Sequence, residues 1–368
     1  MEGPRDGLVS CSAGPAAARR REPRIDPTAT HLQEVTDPQI DPAALEAEIA
    51  EASQWTGELT AAMSAVLVGQ AGLTRSLVLG LLSGGHILLE GVPGLAKSLA
   101  VSAMAQGVRA SFARLQFTPD LLPSDLVGTE IYDAKQGTFT VRKGPIFANF
   151  VLADEINRAP AKVQSALLEG MQEKQVSIGG ETFPLPRPFL VLATQNPVEQ
   201  EGTYPLPEAQ LDRFAFKIHL DYPSRSEELE ILDRMARTAP PEPVHGVVDT
   251  EAIVAARRLV DRITIAPELA SYIVAIVEAT RAPAQHGLPE LEPLVQFGGS
   301  PRATIWLALA SRAAAFMAGR SYARPEDVKS VALEVLRHRI LPSYEAEAEG
   351  VSSDEIVRRV LERVPLDR

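Results

Sequence analysis

Ile87-Leu88-Leu89-Glu90-Gly91-Val92-Pro93-Gly94-Leu95-Ala96-Lys97-Ser98 passes from an apolar strand through a glycine-bearing loop into Lys-Ser and a helix extending to Gly107. This order is how a chain cradles the phosphates of a nucleotide. Gly91 and Gly94 let backbone N–H groups turn toward an anion with no Cβ in the way. The N-terminus of the following helix adds the positive end of its dipole. Lys97 is expected to reach the β- and γ-phosphates, and the Ser98 hydroxyl to coordinate Mg²⁺. The loop departs from G-x-x-x-x-G-K-[ST] at Ala96, where a methyl group is expected to fit only if φ stays negative. Taken alone, the eight residues from Gly91 to Ser98 are also compatible with a plain Gly/Pro turn between a strand and a helix.

Working outward, Phe150-Val151-Leu152-Ala153-Asp154-Glu155 reads as a strand covered on both faces that ends in two carboxylates. Ligands of parallel α/β sheets gather at such strand ends. Asp154 there would hold Mg²⁺, directly or through a water, and Glu155 would polarise the attacking water. A third apolar run, Phe189–Thr194, delivers Gln195-Asn196-Pro197, and the Asn196 amide suits placing a water against the γ-phosphate. Arg213 stands just before a further run, Phe214–Ile218. It can pair with Asp212 and do nothing more, or project as an arginine finger into a neighbouring subunit's nucleotide.

Together these residues resemble the MoxR family of AAA+ ATPases. The resemblance is carried by Gly-Val-Pro-Gly-Leu-Ala-Lys-Ser (91–98), Ala-Asp-Glu-Ile-Asn-Arg-Ala-Pro (153–160), Ala-Thr-Gln-Asn-Pro (193–197) and Leu-Pro-Glu-Ala-Gln-Leu-Asp-Arg-Phe (206–214), and covers roughly Ala43 to Pro365. It implies Walker A roles for Lys97 and Ser98, Walker B roles for Asp154 and Glu155, sensor 1 for Asn196 and the arginine finger for Arg213. Gly299-Ser300-Pro301-Arg302-Ala303 looks like the sensor 2 segment, with Arg302 reaching a nucleotide from the lid, although a helix-start ion pair is the simpler role for that arginine. Val66-Leu67-Val68-Gly69-Gln70 looks like the segment lining the adenine pocket. The family accepts Ala before the P-loop lysine.

Alternating strands and helices from His86 to Leu220 imply a parallel α/β sheet. Five strands are expected near 87–90, 111–117, 149–154, 189–194 and 214–220. Two polar/apolar alternations around short turns, Thr129–Asp133 with Gly137–Val141 and Gln175–Ile178 with Glu181–Phe183, predict β-hairpins. By resemblance these are the helix-2 and pre-sensor-1 inserts, facing a ring pore or a client. Tyr132 and Phe139 are the candidates for client contact, though packing beneath the hairpin is the expected place for both. After Tyr222-Pro223 the pattern is helical: Ser224 with Glu227 makes a capping box for a helix through Met235, and further helices fall near 249–261, 267–281, 302–318 and 325–338. The expected organisation is a disordered tail over 1–41, an α/β nucleotide-binding core over 42–222 and an all-α lid over 223–368.

Composition narrows the rest. At 368 residues the chain exceeds a comfortable single core, so two domains are expected. A net charge of −12, with 48 acidic against 36 basic residues, supplies no broad basic face and speaks against nucleic acid. Arg19-Arg20-Arg21 reads as solvated charge in the tail. Cys11 is the one cysteine, which rules out disulfides within the chain and fits a reducing cytoplasm. No apolar run approaches a bilayer span, and no apolar stretch follows the N-terminal charges. The resemblance implies an ATP- and Mg²⁺-dependent ATPase acting as a chaperone-like remodeller. It also implies a homo-hexameric ring, a von Willebrand factor A-domain partner and a protein client. A nucleic-acid or metal-chelatase motor subunit on the same core, and a nucleotide-gated scaffold with little turnover, are the alternatives.

Overall fold

Apolar residues alternate between two faces along each short strand, and that alternation layers the molecule. In the computed structural model the described residues are 42–92, 94–135, 137–196, 203–238 and 243–366. The expectations for residues 1–41, Cys11 and the arginine triplet included, and for Pro93 lie outside them. Helices α1 (Pro42–Ala52), α2 (Gln54–Ser64) and α3 (Ala71–Ser83) lead into β1 (Ile87–Glu90) and α4 (Lys97–Gly107). There follow β2 (Phe112–Gln116), α5 (Pro123–Val127), β3 (Gly128–Asp133), β4 (Thr138–Lys143), β5 (Phe150–Asp154) and α6 (Ala161–Glu173). Next come β6 (Gln175–Ile178), β7 (Glu181–Pro184), β8 (Leu190–Gln195), α7 (Glu208–Leu211) and β9 (Phe216–His219). The C-terminal part holds α8 (Arg225–Met235), α9 (Thr250–Arg262), α10 (Pro267–Arg281), β10 (Val295–Phe297), α11 (Pro301–Met317) and α12 (Pro325–Leu336). It closes with β11 (Leu341–Pro342), α13 (Tyr344–Glu349) and α14 (Ser353–Arg363).

The five expected strands form one parallel sheet in the order β2-β5-β8-β1-β9. Ile87 and Leu89 of β1, Phe150 and Leu152 of β5, and Leu190 and Leu192 of β8 share a core with α2, α3, α4 and the C-terminal helices. Leu88, Val151, Ala153, Val191 and Ala193 point the other way, onto Val163, Leu167 and Leu168 of α6. Burial on both faces is why these strands read as unbroken apolar runs. At the N-terminal end of β1, His86 is buried between layers: its Nδ1 accepts from the Val191 N–H at 2.9 Å and its Nε2 donates to the Met171 carbonyl at 3.2 Å. Burial lowers its pKa to about 4, so the ring is neutral.

Both hairpins form, β3 with β4 and β6 with β7, the second turning through Gly179 and Gly180 at φ +60° and +87°. Tyr132 and Phe139 correct the sequence expectation. They face each other across β3 and β4 with ring centroids 5.1 Å apart, and are 56% and 68% exposed. A two-stranded ribbon has no layer beneath it, so the pair covers itself instead. The two ribbons also touch: a Cβ added at Gly179 would meet the Glu130 carboxylate at 2.0 Å, and Lys143 Nζ lies 4.8 Å from the Phe147 ring centroid and 5.4 Å from that of Phe183.

The C-terminal region is the expected helical lid with two additions. β10 and β11 pair antiparallel, so it is not purely helical, and α13 and α14 follow the five expected helices. The capping box at α8 is present, Ser224 N–H donating to Glu227 Oε2 at 2.7 Å. Among the described residues no helix is long and apolar enough to cross a membrane.

Candidate functional site

The turn from β1 into α4 is built by backbone geometry. Gly94 has φ +89°, a conformation that glycine adopts freely. Gly91 is required by proximity, since a Cβ there would lie 2.9 Å from the Leu220 carbonyl oxygen. Ala96 departs from expectation: its φ is +54°, left-handed, not negative. The chain must make a left-handed step immediately before α4 whatever side chain stands there, and an L-residue in that conformation costs about 1–2 kcal/mol. Val92 and Leu95 turn into the core, leaving their backbone to the loop.

Lys97, the first residue of α4, folds back so that its ammonium donates to the Gly91 carbonyl and, at 3.4 Å, to that of Gln195. Burial pushes its pKa below the ordinary lysine value, while Asp154, Glu155 and Glu90 pull it back. With Ser98, Gly94 and Ala96 it lines a cleft of about 380 Å³ whose far wall is Asp154, Glu155, Thr194 and Asn196. The cleft lies where β1, β5 and β8 end, as expected for a parallel sheet.

Both carboxylates are held in place. Asp154 Oδ1 accepts from the Thr194 hydroxyl at 2.7 Å, and Oδ2 from Arg114 at 2.6 Å. Glu155 Oε2 accepts from Gln116 at 2.7 Å and from Arg158 at 3.0 Å. Its backbone is left-handed at φ +57°, and its N–H donates to the Thr194 hydroxyl at 2.9 Å. The Ser98 hydroxyl and the Asp154 carboxylate line the same cleft. That donor set fits an ion such as Mg²⁺, which keeps waters and phosphate oxygens among its ligands.

A second cleft, of about 330 Å³, contains Gly69 and Gln70 and is closed by Leu220, Tyr222 and the α12 residues Lys329, Leu333 and Glu334. It therefore lies between the α/β core and the lid. Val68 is buried and does not line it. At the C-terminal end of β1, Glu90 pairs with Lys217 at 2.5 Å and His219 at 3.2 Å. Burial raises its pKa, but the His219 hydrogen bond and the Lys217 charge outweigh that and hold it at about 2.

Arg213 and Arg302 are elsewhere. Ile87 is level with Phe216 and Glu90 with His219, so Asp212 and Arg213 precede the N-terminal end of β9 while the phosphate loop follows the opposite end of β1. Arg302 comes to the same place, its guanidinium 3.4 Å from Asp212. Arg213 itself makes no ion pair among the described residues. The two arginines line one pocket with Trp306 and Lys174, and neither lines the Lys97 cleft. The resemblance has Arg302 reaching a nucleotide from the lid, its own or a neighbour's; here Arg302 lines neither the Lys97 cleft nor the second cleft, whose lid residues come chiefly from α12.

Residues 86–216 match the model of the ATPase family associated with various cellular activities, and residues 291–360 match the AAA lid domain. Chaperone MoxR1 of Mycobacterium tuberculosis is 51% identical over 301 residues, 82% of this chain and 79% of its own. The chain belongs to the MoxR family of AAA+ ATPases. Protein YeaC of Bacillus subtilis is 45% identical over 314 residues, 85% of this chain and 95% of its own. A crystal structure of a candidate ATPase from Cytophaga hutchinsonii superposes with a TM-score of 0.83 at 49% identity, covering 89% of this chain and 99% of that one.

Sequence reading of this MoxR-family chain missed three cleft residues. Thr194 was legible only as the last residue of an apolar run, yet its hydroxyl contacts both neighbouring carboxylate residues. Arg114 and Gln116 stand two residues apart on β2, on the side facing Asp154 and Glu155. That spacing was the available signal.

Proposed function

We propose that this chain binds ATP with Mg²⁺ across the two clefts and hydrolyses it with help from an adjacent subunit. The observation that carries the reading is the division of the site. Lys97, Ser98, Asp154 and Glu155 converge at one end of the sheet, and Arg213 and Arg302 share the other. A ring places these two halves face to face, which supports a homo-hexamer with both arginines acting in trans.

The base would sit by Gly69 and Gln70 under α12, and the triphosphate along Gly91–Ser98. Lys97 would exchange its carbonyl partners for phosphate oxygens. Ser98 and Asp154 would hold Mg²⁺, which supplies neutralisation of phosphate charge. Glu155 and Asn196 would orient the attacking water, Glu155 accepting its proton. Arg213 from the next subunit would stabilise the charge that grows on the phosphoryl oxygens, worth roughly 10³–10⁵ in rate for arginine fingers in general. Family membership supports a chaperone-like role. The finer reading is remodelling of a protein client in the cytoplasm, with a von Willebrand factor A-domain partner, during maturation of partner complexes. The exposed Tyr132 and Phe139 would meet the client. We place the boundary between core and lid near Tyr222.

Mixing subunits tests the division. Lys97→Ala and Arg213→Ala should each abolish phosphate release, and co-assembled mixtures should recover part of it, because some interfaces then hold an intact Lys97 opposite an intact Arg213. No recovery in demonstrated co-assemblies overturns the in-trans arrangement.

A further inference from the structure

Arg339 is a charged side chain sealed inside the protein, only 1% exposed, and all but one of its hydrogen bonds converge on one short segment. Its Nε donates to Asp212 Oδ1 at 2.8 Å, and one terminal nitrogen to the carbonyls of Asp212 at 3.1 Å and Phe214 at 2.6 Å. The other terminal nitrogen donates to the Ala215 carbonyl at 3.1 Å and to that of Val335. The guanidinium thus grips residues 212, 214 and 215 and leaves Arg213 projecting from the middle of the grip. His338 adds a 3.0 Å hydrogen bond to the Phe214 carbonyl, and Ser300 donates to both Asp212 oxygens at 3.1 and 3.0 Å. Burial lowers the Arg339 pKa to about 10, opposed by Asp212, so the clamp stays charged near neutrality.

A buried guanidinium is expensive to desolvate, and an apolar side chain of similar volume serves stability as well or better. What an apolar side chain lacks is the planar fork that fixes several carbonyls at once. Arg339 stands three residues past the end of α12, and α12 lines the base cleft through Lys329, Leu333 and Glu334. One helix therefore faces the subunit's own nucleotide cleft and leads, within three residues of its end, to the clamp on Arg213.

We propose that Arg339 is the positioning residue for Arg213, setting it for the neighbouring subunit's nucleotide. The proposal rests on the reading of Arg213 as an in-trans finger. The test uses the full chain in mixed assemblies. When Arg339→Lys is placed in the Lys97→Ala subunit, which contributes only its Arg213, activity recovered with Arg213→Ala partners should drop on the order of 10–100-fold, as expected for a misplaced catalytic group. When Arg339→Lys is placed in the Arg213→Ala subunit instead, whose finger is already gone, recovery should stay within about twofold of the unmodified mixture. A purely structural role predicts equal loss in both placements and overturns the proposal, as does no loss in either. If Arg339→Lys fails to fold, Asp212→Asn, which removes the clamp's carboxylate while keeping its shape, is read the same way. Absence of recovery in the unmodified mixture removes the in-trans reading and the proposal with it; recovery there with symmetric loss removes the proposal alone.

Discussion

Replacing Thr194 with Val tests whether one hydroxyl organises both carboxylates of the cleft. Val nearly reproduces the shape of Thr but cannot donate to Asp154 Oδ1 or accept from the Glu155 N–H, contacts of 2.7 and 2.9 Å in a side chain that is 1% exposed. A hydrogen bond to a charged group contributes about 1.5–3 kcal/mol, and a buried donor left without a partner costs about 1–3 kcal/mol. The two losses share one atom and overlap, so Thr194→Val should destabilise by about 2–4 kcal/mol. Urea unfolding is the assay, reading a lower midpoint at unchanged slope. The same hydroxyl holds Glu155 in its left-handed conformation, so turnover should fall while ATP affinity stays close to that of the parent protein. Thr194→Ser keeps the hydroxyl and should lose only about 1 kcal/mol for the missing methyl. A Thr194→Val protein within about 0.5 kcal/mol of its parent, with unchanged turnover, refutes the reasoning.

Ala96→Gly should stabilise by about 0.5 kcal/mol: relief of the left-handed conformation contributes about 1–2 kcal/mol, and the added freedom of the unfolded chain offsets up to about 1 kcal/mol. A clear loss of stability would contradict the φ of +54°. Gly91→Ala should weaken ATP binding measured by calorimetry, because the new Cβ pushes the phosphate loop off the Leu220 carbonyl; unchanged affinity would show that the loop adjusts at no cost. Acid should destabilise in two stages. His86 is neutral when folded, with a pKa lowered from 6.5 to about 4, so the unfolded chain takes up the proton first and stability falls between pH 6.5 and 4, by roughly 3 kcal/mol. His338, also lowered by burial, acts in the same direction. The Glu90 contribution is present above pH 4.5 and lost toward pH 2. Urea midpoints that stay flat from pH 7.5 to 5 would contradict a buried neutral His86.

What the sequence made legible was local. Lys97 and Ser98 follow a glycine loop, and Asp154 and Glu155 end an apolar run, so spacing along the chain places them. Strands β1, β5 and β8 were legible because burial on both faces leaves a continuous apolar signature. Contacts made across long separations were not. Arg339 meets Asp212 from 127 residues away, and no pattern near either one announces the other. The position of Arg302 depends on how α11 packs against α3 and α12, which its Gly-Ser-Pro-Arg-Ala context does not encode. The φ of Ala96 was misjudged because the demand of the turn outweighed the preference of its residue. α14 had a signal that went unused, Ser352 with Glu355 at capping-box spacing before Ile356, Val357 and Val360.

The contact between the two ribbons has a mechanical corollary. With Glu130 against Gly179, and Lys143 beside both Phe147 and Phe183, a sideways pull on the outer ribbon drags the inner one along. The inner ribbon, β6 with β7, runs without any intervening helix into β8, whose far end is Gln195, with Asn196 next. Load on the aromatic tip thus has a short, stiff lever arm to the floor of the phosphate cleft, and strain imposed outside the body is felt within it.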